Sequence, residues 1–178
     1  MRNLVNGKEI DSTDGQAIEV RNPANNQLIA TVPSSTEEDV DYCVKCAVEA
    51  QKGWAETPLH ERGRILEKFI TLVERDAETL AMTLCRETGK PIREARAEIA
   101  NTRTFVSAYI ERAKHLYGIT IPEGNEPGQE GTIQYTIRQP IGVVACIIPF
   151  NFPCDLFGQK VTSALIMGNA VIVKPSTY

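Results

Sequence analysis

The sequence predicts an α/β protein in which hairpins and helices precede the opening of a parallel sheet. Apolar residues recur at helical spacing around Cys43, Ile65 and Leu80, the mark of amphipathic helices. The period then falls to two over residues 132–138, and over 142–148 the chain is apolar without interruption. Finally, strand, helix and strand follow one another within about thirty residues, which makes a β-α-β unit with parallel strands and an expected right-handed crossover.

The elements follow in chain order. Asn6-Gly7 and Asp14-Gly15 are turn signals between short strand-like runs, among them 17–20 and 27–32, so the start reads as hairpins. At Ser35-Thr36-Glu37-Glu38, Ser35 can accept from a free backbone N–H while Glu38 reaches back, a capping box that predicts a helix start. Val40, Cys43, Val44, Ala47 and Val48 share one face of that helix. Ile65, Leu66, Phe69, Ile70 and Val73 repeat the pattern after Pro58, so two amphipathic helices are expected to pack together. A third run, with Leu80, Ala81, Leu84 and Cys85, ends at Gly89 as a left-handed cap, and Pro91 opens a fourth helix expected to reach about Gly118. Its charges, Arg93, Glu94, Arg96, Glu98, Arg103, Glu111, Arg112 and Lys114, alternate in sign and read as a solvated face.

Beyond a polar, turn-rich stretch at 122–128, the alternation over 132–138 predicts a half-buried strand. The run 142–148 lacks a polar side, as expected of a strand covered on both faces. A helix from about Cys154 to Met167 is closed by Gly168-Asn169, and 170–173 forms the second parallel strand. The chain stops at Tyr178 with that strand uncovered, which reads as a fragment, because an uncovered edge exposes unpaired backbone groups.

Composition narrows the function. The 178 residues are 42% hydrophobic and 24% charged, with a net charge of −4 from interspersed signs, unlike a protein that neutralises nucleic-acid phosphates. No apolar run approaches the roughly 18 residues needed to cross a bilayer, and residues 1–7 have no apolar signal core. A cytoplasmic protein is expected, with neither nucleic acid nor membrane as partner. The five cysteines, Cys43, Cys46, Cys85, Cys146 and Cys154, are an odd number, so reduced thiols are expected in place of a disulfide framework. Cys43 and Cys46 form C-x-x-C inside a helical pattern, not before a helix N-terminus, and read as packing residues. His60 and His115 stand singly, so no metal site is expected.

Ligands of parallel sheets bind off the carboxyl ends of the strands, where residues 149–153 and 174–177 stand. Asn151 there can donate to a developing oxyanion, although between Phe150 and Phe152 the local pattern favours a turn residue bonding its own backbone. Lys174 can serve the hydroxyls or phosphates of a nucleotide, or simply solubilise a strand end. Neither G-x-G-x-x-G nor G-x-x-x-x-G-K-[ST] occurs.

Ile148-Pro149-Phe150-Asn151-Phe152-Pro153, then Lys160, Gly168-Asn169 and Val173-Lys174-Pro175-Ser176, resembles the aldehyde dehydrogenase superfamily in its hydrolytic, NAD(P)-dependent branch. Upstream the resemblance continues through Asn22-Pro23-Ala24, the stretch 47–54, Arg62, Glu87-Thr88-Gly89-Lys90-Pro91 and Arg138-Gln139-Pro140-Ile141-Gly142. It spans nearly the whole chain and roughly the first third of such an enzyme. It implies an aldehyde dehydrogenase-like fold: N-terminal hairpins and helices of the cofactor-binding domain over 1–118, a strand pair of the oligomerisation region over 119–140, and over 141–178 the first β-α-β unit of a Rossmann-like sheet, incomplete. It implies oxidation of an aldehyde to a carboxylic acid through a Cys thiohemiacetal and thioester, in a homo-oligomer, a dimer or tetramer.

By the same resemblance, Asn151 is the oxyanion donor, which reverses the preference from local pattern. Lys174 holds the adenine ribose with Pro175 and Ser176 beside the adenine side, and the backbones of Ile148 and Phe150 line the nicotinamide half. Lys160 is either a proton relay or a packing residue. The nucleophilic Cys and general-base Glu lie beyond Tyr178, so the 178 residues alone are expected to be inactive, and Cys154 is left as a packing residue at a helix start. NAD-preferring members commonly carry Glu after Lys-Pro-Ser. Thr177 stands there, and a neutral hydroxyl favours NADP over NAD. A bare nucleotide-binding module and a subunit-assembly piece, neither of them catalytic, are the alternative functions.

Overall fold

Of the N-terminal turn signals, Asn6-Gly7 closes the first of two antiparallel hairpins in the computed structural model, which describes residues 1–176, whereas Asp14-Gly15 lies between the hairpins and residues 22–27 close the second. β1 (Asn3–Val5) pairs with β2 (Lys8–Ile10) across Asn6-Gly7, whose φ angles are 49° and 73°, the positive values that a type I′ turn needs. β3 (Ala17–Arg21) pairs with β4 (Leu28–Pro33), with an irregularity between Val20 and Arg21.

The first helix, α1 (Glu37–Glu56), is capped by Thr36, not Ser35. The Thr36 hydroxyl accepts from the Asp39 N–H at 3.2 Å, and the Asp39 carboxylate accepts from the Thr36 N–H at 2.8 Å. Asp39 takes the place expected of Glu38 because its carboxylate is also met from the hairpin side, by the Ser12 hydroxyl at 3.0 Å and the Thr13 N–H at 3.2 Å. Ser35 instead accepts from the Asn3 amide. Hydrogen bonding, from the Thr36 backbone above all, holds the Asp39 carboxyl below its ordinary range against the opposing effect of burial.

Three further helices follow: α2 (Leu59–Arg75), α3 (Ala77–Thr88) and α4 (Ile92–Ala113). α4 is central. Its Val106, Ile110 and Ala113 pack on Leu66 and Ile70 of α2, while its Ala95 and Ile99 pack on Ala81 and Leu84 of α3. Fully burying each large aliphatic side chain contributes about 1.5–3 kcal/mol. The expected pairing of α1 with α2 gives way to a different arrangement, in which α1 lies chiefly against the parallel strands described below. Cys43, Cys46, Ala47 and Trp54 are half-buried, whereas Val40, Val44 and Val48 of the expected apolar face are exposed.

Gly89 closes α3 at φ 72°, and a Cβ there would meet Pro23 Cγ at 2.9 Å. α4 ends at Ala113, short of Gly118. Its final N–H groups turn to carbonyls three residues back, and Gly118 then lies flat on the Thr136 carbonyl, where no Cβ fits. β5 (Thr120–Ile121) and β6 (Gln134–Tyr135) form a hairpin shorter than the alternation over 132–138 predicts. Its expected dry face is exposed, with Ile133 88% accessible and Tyr135 and Ile137 also open.

The parallel pair consists of β7 (Val143–Ile147) and β8 (Ala170–Lys174). One face is covered: Cys146 and Ile148 pack on Val161 and the helical segment above. Ile147 on the other face is 64% exposed and Ala145 is also exposed, so the strand expected to be covered on both sides is open on one of them towards its carboxyl end among the described residues. The expected continuous helix is α5 (Pro153–Phe157), a π-helical turn (Gly158–Thr162) and α6 (Ser163–Ile166). Gly158 sits against α4, where a Cβ would stand 3.1 Å from Thr102 Cγ2. Among the described residues, no helix is long and apolar enough to cross a membrane.

Candidate functional site

The parallel register brings the two sequence-predicted segments together. Ile147 pairs with Lys174, and the Ile148 N–H donates to the Lys174 carbonyl at 2.9 Å. Residues 149–153 and 175–176 therefore leave the sheet side by side, at the strand ends where α/β sheets open a crevice. Ile148 is buried, while Phe150, Asn151 and Lys174 are exposed and Ser176 is half-buried. The Lys174 ammonium donates to the Pro175 carbonyl at 3.0 Å. Thr177 lies outside the described residues.

Asn151 does not make the side-chain turn that its local pattern favoured. Asn22 and Asn25 make such turns, accepting from the N–H groups of Ala24 and Gln27 at 2.9 and 3.0 Å. Among the described residues the Asn151 carboxamide has no hydrogen-bond partner, which leaves its N–H groups available to a ligand.

The segment carrying Asn151 is held from α4. Phe152 stands at the N-cap of α5 and offers no side-chain acceptor, so the first N–H groups of that helix need one from elsewhere. Glu98 supplies it: Oε1 accepts from the Cys154 N–H at 2.8 Å and from the Asp155 N–H at 3.4 Å. Its other oxygen pairs with the Lys90 ammonium, which also donates to the Asn151 carbonyl at 2.8 Å and lies 4.1 Å from the centre of the Phe152 ring. Glu98 is thus no part of the solvated face to which its charge assigned it. Arg93, Arg96, Arg103 and Lys114 do make exposed pairs, but Glu98 shares the buried face of Ala95, Ile99, Thr102 and Val106. That 3–1–3–4 spacing is the sequence signal that could have found it.

Two neighbours feel this buried charge. Burial pushes the Asp155 carboxyl up, although the Thr102 hydroxyl, 3.2 Å away, opposes the shift. Burial, with Glu98 second, pushes the Cys154 thiol up to about 11, so it is poorly suited to act as a thiolate. Its packing among the α3 and α4 residues accords with a structural place.

The other end of the unit is fixed by Asn169 and Arg62. Asn169 Oδ1 accepts from the Ile141 and Gly142 N–H groups at 2.7 and 3.0 Å, and its amide donates to the Ala164 carbonyl at 3.1 Å. The buried Arg62 guanidinium donates to Ile166 and to the end of α1 at Ala55 and Thr57; its burial lowers its pKa. Lys160 is exposed on the π turn, close enough for its charge to oppose the upward push of burial on the Cys146 thiol.

All five cysteines are free thiols, and Cys43 and Cys46 are half-buried on α1. Among the described residues, no group of three or more His, Cys, Asp or Glu is placed to hold a metal ion.

Residues 10–178 match the model of the aldehyde dehydrogenase family. The chain is 35% identical over 173 residues to the glutarate-semialdehyde dehydrogenase of Pseudomonas putida, covering 97% of the chain and 35% of that protein. It is 34% identical over 174 residues to the NADP(+) succinate-semialdehyde dehydrogenase GabD of Escherichia coli, covering 98% and 35% respectively. The crystal structure of an aldehyde dehydrogenase from Brucella melitensis biovar abortus 2308 superposes with a TM-score of 0.92 at 40% identity, over 98% of this chain and 35% of that one. The chain therefore spans about a third of the length of these relatives.

Proposed function

The chain belongs to the aldehyde dehydrogenase family, and on that premise we propose that it forms the N-terminal third of an enzyme that oxidises an aldehyde to a carboxylic acid with NAD or NADP. The observation that carries this reading is the exposed Asn151 carboxamide, without an internal partner among the described residues, at the carboxyl end of β7. When a cysteine thiolate adds to an aldehyde, the carbonyl oxygen gains charge, and an amide N–H donor stabilises it without changing protonation. The nucleophile and the glutamate that activates water for thioester hydrolysis come from outside these 178 residues, which by themselves do not turn over aldehyde.

NAD(P), when bound, supplies the hydride acceptor. The adjoining ends of β7 and β8, with an exposed aromatic at Phe150 and a cation at Lys174, fit a dinucleotide. In this reading Lys174 holds the adenine ribose, Pro175 and Ser176 border the adenine side, and the backbones of Ile148 and Phe150 line the nicotinamide half. Thr177, a neutral residue, favours NADP. Lys160 serves either as a proton relay or in packing, and its influence on Cys146 supports a place close to β7. Residues 1–118 and 141–178 belong to the cofactor-binding domain, and 119–140 to a subunit contact. The exposed Ile119, Ile133, Tyr135 and Ile137 support that contact and, with it, a homo-oligomer.

In the complete enzyme, Asn151→Ala is expected to lower kcat and kcat/KM together by about 10²–10³ while the coenzyme Kd stays put. Steady-state kinetics with a coenzyme titration tests this. A variant with parental kcat would return Asn151 to a structural role.

A further inference from the structure

A buried ion pair stands behind Asn151 with no part in the chemistry above. We propose that Lys90 and Glu98 act together as positioning residues that set where the Asn151 carboxamide stands. The proposal rests on the oxyanion reading of Asn151. The Asn151 side chain has no internal partner among the described residues, so its location follows from the backbone on either side. The Lys90 ammonium takes the Asn151 carbonyl at 2.8 Å, and three residues on Glu98 takes the Cys154 N–H at 2.8 Å. Both ends of 151–154 are thus tied to one ion pair, and the Phe152 ring between them lies on the Lys90 cation.

The anchors themselves are buried. Glu98 projects from the second turn of α4 with its side chain 0% exposed, and the Lys90 side chain is 13% exposed. Lys90 follows Gly89, whose left-handed conformation ends α3, and its N–H donates to Thr88 Oγ1 at 3.2 Å. A buried pair of this kind adds little to stability relative to apolar residues of the same volume. Its loss should therefore be read in turnover more than in melting. Displacing a catalytic donor by about 1 Å can cost on the order of 10²-fold.

The test is the Lys90→Met/Glu98→Gln double variant of the complete enzyme. It leaves no lone buried charge, and the glutamine amide oxygen can still accept from Cys154. The expected result is a kcat lowered by about 10–100-fold with both KM values within about twofold. On an Asn151→Ala background the same pair of changes should cost less than about twofold, because the donor it positions is gone. An equal loss on both backgrounds, or no loss on either, overturns the proposal. Should Asn151→Ala alone leave kcat unchanged, the oxyanion reading fails separately. The positional claim is then decided by a crystal structure of the double variant: a shift of Asn151 by about 1 Å or more supports it, and an unmoved segment overturns it.

Discussion

Replacing Asn169 by alanine should unfasten the β-α-β unit at the end opposite the candidate site. Asn169 is 6% exposed and makes three side-chain hydrogen bonds, two accepted from Ile141 and Gly142 and one donated to Ala164. The Ala164 carbonyl keeps the Asn169 backbone N–H at 3.1 Å, so that loss is small, about 0.5 kcal/mol. The two N–H groups lose their acceptor, and each such group costs about 1–3 kcal/mol when buried. Ile141 is exposed, which lets water reach its N–H and places the sum at about 2–4 kcal/mol. With a urea dependence of about 2 kcal/mol/M, the unfolding midpoint of Asn169→Ala falls by about 1–2 M. Trp54 is the chain's one tryptophan, and its indole N–H donates to the Leu165 carbonyl at 2.9 Å, so its fluorescence reports the same junction. A midpoint within about 0.3 M of the parent would refute the reasoning, because water would then be replacing the amide at no cost.

The Asp39 carboxyl lies below its ordinary value of 3.8, chiefly through the Thr36 backbone N–H. A depressed folded value means that the contribution is present above the unfolded value and lost as pH falls through the folded one. Asp39→Asn should accordingly melt below the parent at neutral pH, with the gap closing in acid beneath 3.8; a gap independent of pH would count against it. Thr177→Glu in the complete enzyme should shift the kcat/KM ratio towards NAD by about tenfold or more, since a carboxylate repels a 2′-phosphate. Kinetics with both coenzymes measures this, and an unchanged ratio would show that Thr177 does not discriminate.

Short-range chemistry made much of the fold legible in the sequence. The positive φ at Asn6 and Gly7, the left-handed cap at Gly89 and the change of period near residue 132 each depend on the backbone preferences of a few neighbouring residues. The adjacency of Ile148 and Lys174 also followed, because a β-α-β connection of this length makes the strands parallel neighbours. What surrounds Asn151 did not follow. Glu98 has the same charge as the exposed Glu94 and Glu111, and only the docking of α5 on α4 turns it into the acceptor for the Cys154 N–H and the counter-ion of Lys90. Likewise Ser35 and Thr36 are equivalent as caps until Ser12 and Thr13, more than twenty residues earlier, meet the Asp39 carboxylate. The sequence by itself determined the kind and order of the elements and several of the turns between them, since those choices are made by local torsional preference and apolar period. The tertiary structure decided which polar groups are buried and what they hold, because the penalty of desolvating a carboxylate or an amide depends on which element is packed over it.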